Sequence, residues 1–144
     1  DVIWRAQDGK AAINRQALDD AEAFTPEDLP PLDSLRRLVA ESRVPQPDSM
    51  PPMAAGLFGY LGYDMVREME RLPRAKPDLI GMPDAIFMRP TVMVVFDAVR
   101  DEMVIVTPVR PKAGVSARMA EEAARERIDA IVRCLEGPLP LRAR

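Results

Sequence analysis

The residues best suited to chemistry lie in Pro51-Pro52-Met53-Ala54-Ala55-Gly56-Leu57-Phe58-Gly59-Tyr60-Leu61-Gly62-Tyr63-Asp64, which holds three of the seven glycines and both tyrosines of the chain. Glycines that open a helix can cradle an anion on backbone N–H groups. Gly56, Gly59 and Gly62 lack the Gly-Lys-Ser/Thr run and the G-x-G-x-x-G spacing of phosphate-binding loops. Their simpler use is close backbone packing, because a residue without Cβ lets a second segment lie against it. Tyr60 and Tyr63 add two hydroxyls that need partners if they are buried.

Other reactive groups are few. The 144 residues include no histidine, which excludes a histidine-based triad and a histidine-ligated zinc within this chain. The lone cysteine, Cys134, sits in a helical pattern without a histidine base; it reads as a buried or half-buried helix residue, and a single thiol fits a reducing cytoplasm. Acidic pairs such as Asp19-Asp20, Asp101-Glu102 and Glu121-Glu122 sit in solvated patterns. Net charge is −3 with scattered basic residues, so nothing draws the chain to nucleic acid or an anionic membrane. No apolar run approaches a membrane span.

The elements that must position the glycine-tyrosine stretch follow from pattern. Met53 to Leu57 reads as a buried strand, Gly59 and Gly62 as a turn, and the spacing Tyr60, Tyr63, Val66, Met69 as a helical stripe with Asp64 near its start and Arg67 and Arg71 near its end. Upstream, Val2 to Ala6 reads as a strand, Asp8-Gly9 as a hairpin turn and Lys10 to Arg15 as the return. Ala17 to Pro31 reads as loop. Asp33 or Ser34 is expected to cap a helix with Leu35, Leu38, Val39 and Ser42 inward, ended by Pro45 and Pro47. The segment Val44 to Pro52, with four prolines, reads as a stiff connector.

Downstream, Pro73 to Pro83 reads as loop and Asp84 to Met88 as extended, with Pro90 opening a strand. Thr91 to Phe96 and Glu102 to Thr107 read as a hairpin, apolar on both faces and therefore covered on both sides. A long helix is expected from a Ser116 cap to a Gly137 C′ stop, burying Ala120, Ala124, Ile128, Ile131, Val132 and Leu135. The predicted class is α+β: one mostly antiparallel sheet containing the Trp4, Met53, Thr91 and Glu102 strands, with packed helices. Residues 1–137 form the domain and 138–144 a tail or linker. A strand that begins at residue two suggests a piece of something longer.

Several segments, in order, closely resemble anthranilate synthase component I. They are Pro51 to Arg67, Pro83-Asp84-Ala85, Met88-Arg89-Pro90-Thr91 and Val106-Thr107-Pro108-Val109-Arg110-Pro111, with Trp4-Arg5 and Ile13-Asn14-Arg15 upstream. The related aminodeoxychorismate synthase component I, of the folate branch, shares the G-Y-x-G-Y-D pattern; the intact Met-Arg-Pro-Thr and Val-Thr-Pro-Val-Arg-Pro segments favour the anthranilate branch. A free-standing small-ligand or partner-binding module is the alternative of another class.

The resemblance covers only the family's N-terminal region. It implies part of a two-sheet α/β sandwich, and a parent lyase converting chorismate and glutamine-derived ammonia to anthranilate and pyruvate. It also implies Mg2+ bound outside this chain, feedback inhibition by tryptophan, and two partners: the chorismate-binding domain of the same protein and a glutamine amidotransferase. The Leu-Leu-Glu-Ser strand that binds tryptophan would precede Asp1, and the catalytic histidine and magnesium carboxylates would follow Arg144. No catalytic or metal residue is therefore carried onto this chain, which alone is expected to be inactive. Met53, Gly56, Gly59, Tyr60, Gly62, Tyr63 and Asp64 remain as candidates for a tryptophan site or domain contact. Part of the sheet would rest on the rest of the family's architecture, so an exposed apolar strand face is expected here.

Overall fold

The computed structural model describes residues 1–73 and 79–138, and it divides the chain into two compact units: Asp1–Arg43 with Gly56–Pro90, and Val44–Ala55 with Thr91–Arg144. Residues 74–78 of the expected loop, and the tail beyond residue 138, lie outside the described residues.

The first unit is a five-stranded antiparallel sheet under one helix. Strand β1 (Val2–Gln7) alternates buried and half-buried positions, and Trp4 is completely buried. It turns into β2 (Lys10–Asn14) through Asp8 and Gly9, whose φ values of 51° and 71° are the left-handed pair that a two-residue hairpin needs. The acidic loop contributes a two-residue edge strand, β3 (Thr25–Pro26), where the missing proline N–H costs no ladder bond. Strands β4 (Phe58–Leu61) and β5 (Ala85–Arg89) complete the sheet order β3-β2-β1-β5-β4.

Helix α1 (Pro31–Ser42) closes this core. The expected side-chain cap is absent: Pro30 is the N-cap, and Pro31 opens the helix at a position where a proline loses nothing. Ser34 instead lies inside the helix on its buried face with Pro31, Leu38 and Ser42, while Val39 points outward. Leu38 and the half-buried Leu32 and Leu35 pack with Val2, Trp4, Ala6, Ala11, Ile13 and Ala85, which makes one core on one sheet face.

Two sequence expectations around the central stretch are corrected. Met53 to Leu57 is not a strand; Ala54 N–H bonds to Pro51 C=O in a turn, and the strand begins at Phe58. The period-three stripe is not an α-helix but a 3₁₀ helix, Tyr63–Glu68, in which residues three apart eclipse. Its buried residue is Met65; Tyr63 and Met69 are exposed and Val66 is half-buried.

The second unit holds the hairpin of β6 (Met93–Asp97) and β7 (Glu102–Val106) and the helix α2 (Ala117–Glu136). The hairpin is its own two-stranded sheet, so the single predicted sheet is replaced by two. Pro90 follows β5 rather than opening β6. Among the described residues the hairpin is not covered on both faces, since Phe96 is 74% exposed. Ser116 caps α2 by accepting from Met119 N–H at 3.3 Å, as the sequence implies. Gly137 ends it with φ −74°, extended and not left-handed. Of the expected apolar face only Ala124 is fully buried; Leu135 is exposed, and Cys134 is exposed too. Glu121 and Glu122 pair with Arg125 and Arg118 one turn away.

Candidate functional site

Gly59 and Gly62 are where the glycine-tyrosine stretch meets the fold most tightly. Gly59 pairs with Phe87 across the β4–β5 ladder. A Cβ built there would stand 1.9 Å from the Ile86 carbonyl oxygen and 2.7 Å from Phe87 Cα. At Gly62 a Cβ would stand 2.8 Å from the Asp84 carbonyl oxygen, to which Gly62 N–H donates at 2.7 Å. The close approach expected from the glycines is present, with strand β5 as the neighbour. Gly56, at φ +154°, occupies backbone space that side chains disfavour.

These contacts present the polar groups. Tyr60 donates its hydroxyl to the Pro83 carbonyl at 2.8 Å. Tyr63, at the start of the 3₁₀ helix, is 90% exposed. Asp64 accepts from Arg67 Nε at 2.9 Å, and Arg67 also donates to the Pro73 carbonyl at 2.6 Å. Gly59, Tyr60, Gly62, Tyr63 and Asp64 are thus gathered along one sheet edge and the turn after it. Met53 lies in the second unit.

Two shallow grooves lie elsewhere. One of about 340 Å³ runs along α1 between Leu32, Leu35, Arg36, Val39, Ala40 and Arg43, and one of about 550 Å³ lies beside the Val109–Val115 segment and the start of α2. Neither of these two is lined by the glycine-tyrosine residues.

Sequence reasoning missed a relay that runs from the buried Trp4 to the surface. Trp4 Nε1 donates to Ser34 Oγ at 2.8 Å, Ser34 donates to Glu27 at 2.9 Å, and Glu27 pairs with Arg37. The signal was present: Ser34 sits four residues before Leu38, on the inward face of α1. A second pairing joins sheet neighbours, with Arg89 donating to both carboxylate oxygens of Asp1 at 2.9 and 2.7 Å. Burial lowers the Arg89 guanidinium pKa from its ordinary value, and the nearby Glu41 charge acts in the opposite direction. In the second unit Thr107 donates to the Thr91 carbonyl at 2.7 Å and accepts from Arg127 Nε at 2.9 Å. Thr91 and Thr107 each belong to a segment singled out in the sequence. Among the described residues no three His, Cys, Asp or Glu side chains converge as a metal site, and no helix is long and apolar enough to cross a membrane.

No protein-family model matches the chain. It is 47% identical over 140 residues, 97% of its length, to anthranilate synthase component 1 of Cereibacter sphaeroides. The chain matches the N-terminal part of that anthranilate synthase component 1. Anthranilate synthase component 1 of Thermus thermophilus is 34% identical over 139 residues. The chain spans 28% and 26% of the length of these two relatives. The fold matches anthranilate synthase component I of Streptococcus pneumoniae with a TM-score of 0.73 and 23% identity, covering 96% of this chain and 28% of that one. The α+β class read from the sequence therefore holds, although its strands are arranged differently from the expectation.

Proposed function

We propose that this chain is the regulatory and scaffolding N-terminal part of an anthranilate synthase component I acting in the cytoplasm in tryptophan biosynthesis. The whole protein would convert chorismate and ammonia to anthranilate and pyruvate. A glutamine amidotransferase would supply the ammonia, and tryptophan would inhibit. The observation that carries this reading is the 47% identity sustained over 97% of the chain. The relatives reported above bear the anthranilate synthase name, which favours this branch over aminodeoxychorismate synthesis.

The residues of this chain do not fit a role in the chemistry itself. There is no histidine to move a proton. The acids described above are tied up in surface ion pairs or dispersed, and form no magnesium cage among the described residues. We derive no step through magnesium from this chain. Its contribution would be positional: a rigid sheet whose outer surface meets the rest of the enzyme. A tryptophan site shared between two regions suits such a part, because a ligand shifts a conformational equilibrium only by its differential affinity for the two arrangements.

Calorimetric titration with tryptophan tests the regulatory role. The chain should be compared with a form extended by one strand at its N-terminus and by the chorismate-binding region at its C-terminus. Binding to the extended form alone is expected. Binding to the short chain would move tryptophan contacts onto the Gly56 to Asp64 surface. Absence of binding to the extended form would remove the regulatory role.

A further inference from the structure

From Thr107 to Ala120 the sequence holds Arg110, Lys112 and Arg118 and no Asp or Glu. Arg118 is taken up by Glu122 on its own helix. The stretch lies wholly within the second unit and is held at both ends. At its start Thr107 accepts from Arg127 Nε, which ties it to the middle of α2. At its end Ser116 caps α2. Between them Val115 N–H donates to the Lys112 carbonyl at 3.1 Å, closing a four-residue turn. Gly114 stands in that turn at φ +78°, the left-handed position that favours glycine. The segment and the first turn of α2 enclose the groove of about 550 Å³ described above, a size suited to a small molecule. Val109, Pro111, Val115 and Ala120 give it apolar walls. The charged residues on its lining are Arg110, half-buried, and Lys112, exposed, both positive.

We infer that this groove binds a small organic carboxylate with an apolar ring. The inference is independent of the function proposed above. Each half of that description answers one part of the lining. A flat ring takes the apolar walls out of water, and the gain grows with the area covered. A carboxylate answers two positive charges that no acid on the lining offsets. A neutral ring leaves those charges unanswered, and a phosphate ion has nothing to set against the walls. Lys112 carries its charge on a flexible stem at the exposed side, so it can follow a carboxylate without moving the backbone turn.

Benzoate is the probe, with benzamide as the neutral ring and inorganic phosphate as the anion without one. Amide shifts of the 144-residue chain should be followed at residues 109–120 during titration with each. Saturable shifts are expected with benzoate at about millimolar affinity, in keeping with so few ligand atoms. Benzamide and phosphate should bind at least about fivefold more weakly, because each lacks one half of the match. Lys112→Gln should weaken benzoate about three- to tenfold, and Lys112→Arg should restore it. Lys112 is exposed, so shifts in β6 and β7 should be the same in both variants as in the parent. Absence of benzoate shifts at residues 109–120 would overturn the assignment. So would equal affinity for benzamide, which would make the groove merely apolar, or for phosphate, which would make it an unselective basic patch. Benzoate affinity unchanged in Lys112→Gln would overturn it as well.

Discussion

Gly59→Ala is expected to remove β4 from the sheet and to cost the first unit more than about 4 kcal/mol, the range that only severe steric or core damage reaches. The reason is the identity of the atoms that a methyl group would meet. They are the Ile86 carbonyl oxygen at 1.9 Å, Phe87 Cα at 2.7 Å and the Ile86 carbonyl carbon at 2.8 Å. All three are backbone of β5, which is itself paired to β1 over five residues. No rotamer change relieves the overlap; either the β4–β5 ladder opens or β5 leaves the centre of the sheet. Gly81→Ala is the control. Its Cβ would meet nothing within 4 Å, so only the strain of φ +71° remains, about 1 kcal/mol. Urea unfolding of the two variants, with amide exchange at residues 58–61 and 85–89, separates these cases. A Gly59→Ala protein within about 1 kcal/mol of the parent would show that the β4–β5 approach is not as close as described.

Trp4→Ala should cost about 4 kcal/mol, as large-to-small changes at fully buried aromatic positions do. Trp4 is 0% exposed, its ring centroid lies 6.3 Å from that of Phe87, and its indole N–H is bonded to Ser34. The truncation leaves a cavity under α1 and takes a donor from the Ser34–Glu27–Arg37 relay. Trp4→Phe should cost less, about 2 kcal/mol, because it keeps an aromatic ring and leaves Ser34 still able to donate to Glu27. Trp4 is the only tryptophan, so unfolding must be followed by circular dichroism rather than intrinsic fluorescence. Equal loss in the two variants would assign the energy to the hydrogen bond and not to the packing.

What the sequence shows and what it hides divide along physical lines. Local signals are legible. Asp8-Gly9 specifies its hairpin by left-handed backbone, Ser116 specifies a helix start, and the apolar runs of β6 and β7 specify strands. Long-range pairing is not. Nothing in residues 2–6 announces that they lie beside residues 85–89, since both segments are simply apolar and extended. The two separate sheets follow from that pairing, so they were invisible too. Met53 to Leu57 misled because small apolar residues suit a strand and a tight turn alike, and Pro51 and Gly56 settled it as turns. A three-residue repeat was read as a helical stripe, yet the helix is a six-residue 3₁₀ turn, Tyr63–Glu68, that leaves Tyr60 and Met69 outside it. In the candidate site, the glycines were legible because a missing Cβ has one simple structural use. The surroundings of Ser34 were not, because a serine near a helix start reads first as a cap.

The function proposed for this chain is to position and regulate chorismate chemistry carried out by the rest of a longer protein. The most direct measurement is anthranilate fluorescence with chorismate, ammonium and Mg2+, for the 144-residue chain and for the protein extended through the chorismate-binding region. The account expects no product from the short chain and steady turnover, lowered by tryptophan, from the extended one. Anthranilate made by the short chain alone would contradict it, as would an extended protein that releases aminodeoxychorismate instead.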